Sequence, residues 1–260
     1  MTDDATVGER PLVVLPTYNE RDNIEPIVQA IHRHLPQARV WIVDDNSPDG
    51  TGQIADALAA AEPWCEVIHR PGKLGLGTAY VQAFERALTQ DFDCVLQMDA
   101  DFSHDPGYLP QLLAGLADAD MVLGSRYVPG GGTQNWSRIR QVISKTGNVV
   151  AQVGLEIRTQ DATGGFRPFR RSTLERLHFA NMQLRGYGFQ IEVVFQAERM
   201  GLRIKEVPIT FVERLTGSSK MSKDIALEAF VYIVRRRFGM MRGHMRPLPD
   251  APPQPAPAEK

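Results

Sequence analysis

A chain of 260 residues that is 43% hydrophobic and 23% charged has the means to bury a core, which excludes a disordered chain, a collagen-like repeat and a disulfide-stapled miniprotein. Lys and Arg total 29 against 31 Asp and Glu, a formal net charge of −2, so the balance implies no general polyanion affinity and no nucleic-acid partner. The charge is unevenly spread: Arg235, Arg236, Arg237, Arg242 and His244 lie close together with no acid among them, and the rest of the chain is correspondingly acidic.

Residues 1–10 are polar and acidic, lack the layout of a secretory signal and are expected to be flexible. Leu12-Val13-Val14-Leu15 reads as a short apolar strand that stops at Pro16. A helix is predicted over Asn19 to Leu35, where Ile24, Ile27, Val28, Ile31 and Leu35 recur at helical spacing. Val40 to Val43 is a second strand, ending in Asp44-Asp45. A helix from Thr51 to Ala61, a strand over Glu66 to His69 and an amphipathic helix over Gly77 to Leu88 follow. Cys94 to Met98 is a fourth strand ending in Asp99; a helix near Leu109 to Leu116 and a strand over Met121 to Leu123 come next. Cys65 and Cys94 sit in apolar runs and are expected as buried free thiols, in keeping with a reducing cytosol. No run of eighteen uncharged apolar residues predicts a membrane span. Residues 247–260 hold six of the eighteen prolines and are expected to be disordered.

Apolar strands alternating with helices predict an α/β fold with a mostly parallel sheet covered on both faces. Ligands of such sheets collect at the carboxyl ends of the strands. Three strand tails there are polar: Pro16-Thr17-Tyr18-Asn19-Glu20, Asp44-Asp45 and Asp99-Ala100-Asp101. A single Asp after a strand is usually a solvated loop acid; the repetition at three strand ends points to a site.

Beyond its strand, the Asp99-Ala100-Asp101 triplet can turn both carboxylates toward one hard cation. Mg²⁺ and Mn²⁺ are commonly held by a few carboxylates together with substrate phosphates. Asp44 to Gly50 supplies acceptors for a base edge and ribose hydroxyls, although Asp49 or Thr51 could equally cap the next helix. Arg70-Pro71-Gly72-Lys73-Leu74-Gly75-Leu76-Gly77 is basic, glycine-rich and opens a helix, which suits a diphosphate. It has neither Walker nor G-x-G-x-x-G spacing, which disfavours a P-loop NTPase and a nicotinamide enzyme.

These segments in this order resemble the polyprenol (dolichol) phosphate mannose synthases, family-2 glycosyltransferases of GT-A (Rossmann-like) fold. Gly124-Ser125-Arg126-Tyr127, Asp161-Ala162-Thr163-Gly164-Gly165-Phe166-Arg167 and Gly217-Ser218-Ser219-Lys220 extend the likeness, which runs from about Pro11 to Met221. The resemblance implies a glycosyltransferase domain over residues 11–221, with GDP-mannose as donor and a polyprenyl monophosphate as acceptor. It assigns Pro16, Tyr18, Glu20, Asp44 and Asp49 to the nucleoside, and Lys73, Asp99, Ala100, Asp101, Arg214 and Lys220 to the donor diphosphate. A Mg²⁺ or Mn²⁺ ion would sit at Asp99, Asp101 and Ser103. Arg126, Arg140 and Ser144 would hold the acceptor phosphate, making Asp101, Arg126 and Arg140 the catalytic set. Ser103 departs from relatives that carry Gln at that position.

A phosphate acceptor is already anionic near neutral pH, so no general base is required, and Arg is suited to positioning it. Glu192 occupies the region where other family-2 enzymes place a base; as a helix-start carboxylate it can equally be a capping partner. The resemblance further implies direct, inverting displacement to a β-linked mannosyl phosphate. Residues 222–246 read as an amphipathic basic helix suited to a membrane interface, or as a helix packed on the domain. The expected location is peripheral, on the cytoplasmic face of a membrane, alone or with a membrane-embedded partner. The rival readings are a polyprenyl-phosphate glucosyltransferase using UDP-glucose, a non-catalytic sugar-nucleotide binder and a receiver-like phosphate-binding module. The last leaves Arg126, Arg140 and Lys220 without a role.

Overall fold

The computed structural model describes residues 7–179, 187–213 and 230–237. Side chains alternate across a strand, and in β1 (Pro11–Thr17) and β2 (Arg39–Asp44) both sets are apolar. Both faces of the sheet must therefore be covered. Leu12, Val14, Trp41 and Val43 pack on one face against Tyr80 and Phe84 of α3 (Leu76–Ala87) and Phe189 and Val193 of α7 (Tyr187–Arg199). Val13, Leu15, Val40 and Ile42 pack on the other against Ile24, Ile27 and Ile31 of α1 (Ile24–His34) and Leu109 and Leu112 of α4 (Leu109–Ala114).

The remaining sheet strands are β3 (Cys65–His69), β4 (Cys94–Gln97), β5 (Met121–Ser125), β7 (Arg167–Arg170) and β8 (Ile204–Pro208), and the seven lie in the order β3-β2-β1-β4-β7-β5-β8. All pairings are parallel except those of β7, which runs antiparallel to β4 and β5. This is the mostly parallel, helix-flanked GT-A-like sheet. β6 (Gly132–Gln134) and β9 (Thr210–Val212) form a separate pair beside it. The other helices are α2 (Thr51–Ala61), α5 (Arg138–Leu155) and α6 (Arg171–Arg176).

Two sequence expectations change. The first helix begins at Ile24 rather than Asn19, because Asn19 takes a left-handed φ of 58° and the Glu20 carbonyl accepts the amides of Asn23 and Ile24. Residues 8–10, within the stretch expected to be flexible, are tied down: the amides of Gly8, Glu9 and Arg10 all donate to Asp93 Oδ2. Cys65 and Cys94 are buried and free, and burial pushes the Cys65 thiol up to about 11. The Pro-rich 247–260 tail lies outside the described residues.

Within the predicted amphipathic segment, residues 230–237 are helical. Tyr232 and Ile233 are buried, while Phe230 and Val231 are exposed. Arg236 pairs with Glu192 and Arg237 with Glu156. Two of the clustered arginines thus hold this helix on the domain. Among the described residues no helix is long and apolar enough to cross a membrane.

Candidate active site

The carboxyl ends of β2, β1 and β4 lie side by side, with Thr17 in register with Asp44. Each is followed by a non-glycine residue with positive φ: Asn46 at 54°, Asn19 at 58° and Phe102 at 60°. Asn tolerates that conformation; for an aromatic residue it is strained, and such strain gathers at functional sites.

Asp44 is buried and organises its own loop. Its Oδ1 accepts the hydroxyls of Thr17 (3.0 Å) and Ser47 (2.6 Å), and its Oδ2 accepts the Ser47 amide (3.0 Å). Asp49 accepts the Thr51 amide and hydroxyl through Oδ1 and the Arg21 amide through Oδ2. Burial would raise its carboxyl, but these hydrogen bonds outweigh burial and hold it below the usual value. Glu20 is buried beside them; its amide donates to Thr51 Oγ1 and its Oε2 accepts Asn23 Nδ2. Pro16 and Tyr18 are half-buried at the end of β1 and just beyond it.

The basic loop divides into two roles. Arg70, expected with the phosphate-suited segment, is instead buried in an ion pair with Asp45 at 2.6 Å and also donates to Thr78. The second Asp45 oxygen accepts the amides of Leu74 and Gly75. Asp45 and Arg70 were not singled out by the sequence as a pair, yet they fix the path of the loop. Lys73 remains at the surface of the site, its Nζ 4.3 Å from the centre of the Tyr18 ring.

At the end of β4, Asp101 is buried and Asp99 partly exposed. Ser103 donates both its amide (3.1 Å) and its hydroxyl to Asp101 Oδ1. Its short side chain thus orients a carboxylate. Ala100 is buried between the two acids. The Asp99 amide donates to His104 Nδ1 at 3.2 Å, and the His104 ring stacks on Phe166. Burial lowers the His104 imidazole to about 4, so the ring is neutral and carries its proton on Nε2. Among the described residues no cluster of three His, Cys, Asp or Glu side chains is arranged to hold a metal. The Asp99–Asp101 pair suits a hard cation that takes its other oxygens from a ligand or water.

Arg126 follows β5. Its Nε and Nη2 donate to the two Asp161 oxygens at 2.7 and 2.6 Å, its amide donates to Oδ2, and Nη2 also donates to Thr163. Burial would raise the Asp161 carboxyl, but the Arg126 charge and hydrogen bonds hold it below the usual range. A Cβ at Gly131 would lie 2.5 Å from the Ser125 carbonyl, so the turn after Arg126 requires glycine there. A cavity of about 470 Å³ opens beside this arginine, lined by Arg126, Tyr127, Thr133, Arg138 and Lys145 among others. Ser144 accepts the Tyr127 hydroxyl at 2.7 Å, one residue from that lining. Arg140 turns elsewhere: it pairs with Glu213 at 2.6 Å and lies 4.2 Å from the Trp136 ring centre. Arg138 and Lys145, at the same end of α5, were missed because surface cations on a helix give no signal until the cavity is seen. Arg214 and Lys220 lie outside the described residues.

Glu192 is buried within α7, accepting Gln196 Nε2 at 2.6 Å and pairing with Arg236 at 2.8 Å. This is a structural anchorage and not the setting of a base open to substrate.

The chain is 44% identical over 252 residues to a polyprenol monophosphomannose synthase of Mycolicibacterium smegmatis, spanning 94% of this chain and 95% of that one. It is 44% identical over 226 residues to an undecaprenyl-phosphate mannosyltransferase of Micrococcus luteus, covering 87% and 93%. Among solved structures, glucosyl-3-phosphoglycerate synthase of Mycobacterium tuberculosis in complex with Mn²⁺, UDP and glucosyl-3-phosphoglycerate superposes with a TM-score of 0.65. That match has 20% identity over 89% of this chain and 81% of the other, a likeness of fold. The model of the Glycosyl transferase family 2 matches residues 12–177, from the first buried strand past the Asp161 that holds Arg126, and the chain belongs to that family.

Proposed function

We propose that this protein transfers mannose from GDP-mannose to a polyprenyl monophosphate, releasing GDP. The carrying observation is the cavity beside the strand ends, where three cationic side chains, Arg126, Arg138 and Lys145, meet with no carboxylate among the described lining residues. Such a cavity suits an anionic acceptor. The names of the two 44% identical relatives supply the same acceptor class and the sugar.

An oxygen of the acceptor phosphate attacks the anomeric carbon, the bond from that carbon to the diphosphate oxygen breaks, and its electron pair leaves with GDP. The product is a β-linked mannosyl phosphate, and no proton has to be removed from the nucleophile. Arg126, fixed by Asp161, holds the acceptor phosphate; Arg140 and Ser144 are proposed to act with it, although Arg140 must first exchange Glu213 for the phosphate. Pro16, Tyr18, Glu20, Asp44 and Asp49 form the nucleoside side. In that role Asp44 acts chiefly by holding the loop, since its oxygens already accept three hydrogen bonds. Lys73, Arg214 and Lys220 complement the diphosphate. Asp99 and Asp101, with Ser103 orienting Asp101, would hold Mg²⁺ or Mn²⁺. Such an ion, when bound, neutralises charge on the leaving diphosphate. The Mn²⁺ and UDP of the solved glucosyl-3-phosphoglycerate synthase complex support that choice of ion class. We place the enzyme at the cytoplasmic face of a membrane, held peripherally or by a membrane-embedded partner, with residues 222–246 contributing.

The test is transfer from labelled GDP-mannose to polyprenyl phosphate with a divalent cation, against a phosphate-free polyprenol control. A metal-dependent mannolipid formed only from the phosphate is the expected result. Preferential transfer from UDP-glucose would replace the donor assignment.

A further inference from the structure

The two arginines assigned to the acceptor phosphate differ in how they are held. The Arg126–Asp161 pair is closed to solvent, its side chains 5% and 0% exposed, whereas the Arg140–Glu213 pair is open, at 22% and 36%. A buried pair cannot give up its counter-ion without leaving a bare charge. A partly exposed pair is held weakly and can exchange partners. Arg126 is therefore a fixed cation and Arg140 an exchangeable one.

Glu213 lies at the rim of the Arg126 cavity. It follows β9, and its amide donates to the Gln134 carbonyl at the end of β6, the strand whose Gly132 and Thr133 line that cavity. Along α5, Arg140 stands between Arg138 and Gln141, both of which line it as well. Trp136 joins the two arginines. Its ring is almost wholly buried, with the Arg140 guanidinium 4.2 Å and the Arg126 guanidinium 5.5 Å from its centre. It also meets Phe211 of β9 edge-on at 5.3 Å. Among the described residues the indole N–H has no hydrogen-bond partner, so an unused donor lies beside both cations.

A carboxylate on an exchangeable arginine at an anion site is a competitor. An arriving anion must displace it and also approach its charge. A phosphate monoester carries about −1.5 to −2 near neutral pH and attracts Arg140 more strongly than a singly charged carboxylate does; a monoanion has no such advantage. Repelling the wrong ligand sets specificity as effectively as attracting the right one.

We propose that Glu213 is a specificity-determining residue, a resident carboxylate that lets only a dianionic phosphate take Arg140, with the Trp136 ring keeping the guanidinium at the rim during the exchange. The inference rests on the acceptor reading above and adds to it the charge of the group admitted.

The experiment measures the KM for polyprenyl phosphate at saturating GDP-mannose, with inorganic phosphate and dimethyl phosphate as competitors. At about pH 8 the first is a dianion and the second a monoanion. Glu213→Gln should lower that KM roughly two- to fivefold, the span that a partly exposed pair contributes, with kcat within about twofold of wild type. Wild type should be inhibited far more by inorganic phosphate than by dimethyl phosphate, and the variant should narrow that ratio. Glu213→Asp, which keeps the charge, should behave as wild type does. A merely structural role for Glu213 would raise the KM on its removal rather than lower it. An unchanged circular-dichroism melt checks the fold, and Glu213→Ala covers the case in which the glutamine amide oxygen accepts Arg140 in place of the carboxylate. A folded variant whose KM equals or exceeds that of wild type, or whose ratio between the two anions is unchanged, overturns the inference and leaves the acceptor reading standing. A wild type that transfers nothing to the phosphate overturns that reading, and the inference with it.

Discussion

Arg126 and Asp161 form a two-pronged ion pair, 2.7 and 2.6 Å, in which both side chains are almost wholly buried. Removing one member leaves the other charge buried without its counterion, which costs about 3–5 kcal/mol. Asp161→Asn should therefore destabilise the fold by that order and raise the KM for the acceptor, because Arg126 is no longer aimed at the cavity. The pH dependence has a definite sign. The Asp161 carboxyl lies below its ordinary value of 3.8 in the folded protein, so its contribution is complete above that value and is lost as pH falls through the lower folded value. Denaturant melts from pH 7 to pH 3 should show the gap between wild type and Asp161→Asn narrowing only below about pH 4. A constant gap across that range would contradict the assignment.

Asp45 and Arg70 make the second buried pair, and its prediction separates architecture from binding. Arg70→Met alone should lower stability by about 3–5 kcal/mol and weaken donor binding, since the loop carrying Lys73 loses its tether. Combining Arg70→Met with Asp45→Leu should recover part of that stability, because an apolar pair avoids the desolvation of two charges, but it also removes the acceptor of the Leu74 and Gly75 amides, so donor affinity should stay low. Unchanged donor affinity in the folded double variant would contradict the role of this pair in holding the loop. Thermal melts and nucleotide titrations on the three proteins distinguish these outcomes.

How far the sequence led depends on the range of the interactions involved. The buried strands and the acids at their ends were readable, since a strand is local and an apolar run of four residues stopping at Pro16 or Asp44 declares itself. The left-handed positions were not read: helical spacing drew Asn19 into the first helix although Asn tolerates that conformation, and neither Asn46 nor Phe102 was singled out. The antiparallel β7 escaped because Arg167-Pro168-Phe169-Arg170 has neither alternation nor a long apolar run. Partners of the cations were invisible for a different reason. Arg126 finds Asp161 thirty-five residues away and Arg140 finds Glu213 seventy-three away, and no local pattern encodes such pairs. The cavity edge at Arg138 and Lys145 needed the three-dimensional path of the turn before α5.

Ser103 gives a further prediction. Its hydroxyl donates to Asp101, and a hydrogen bond to a charged acceptor is worth about 1.5–3 kcal/mol. Ser103→Ala should lower stability by about 1.5–3 kcal/mol, a fall of several degrees in melting temperature, and raise the divalent-ion concentration needed for half-maximal rate. Ser103→Thr, which keeps the hydroxyl, should retain most activity. A rate loss with unaltered metal dependence would instead mean that the hydroxyl acts apart from the cation site.

Glu192 supplies the test of a reaction without a general base. A side chain that removes a proton in the transition state contributes about 10²–10⁴-fold, so Glu192→Gln would be crippling if this carboxylate were the base. The structure gives it a different role. Buried in α7, it accepts Gln196 and pairs with Arg236, holding the 230–237 helix on the domain. Glu192→Gln should then keep transfer to the phosphate acceptor within a fewfold of wild type while lowering stability by about 1–3 kcal/mol through the weakened contact with Arg236. Arg236→Gln should reproduce the stability loss, and the double variant should cost less than the sum, since both remove the same interaction. A rate loss of about a hundredfold in Glu192→Gln, without a matching loss in Arg236→Gln, would require a proton transfer that a phosphate nucleophile does not need. The reading of the acceptor as an anion stands or falls on that comparison.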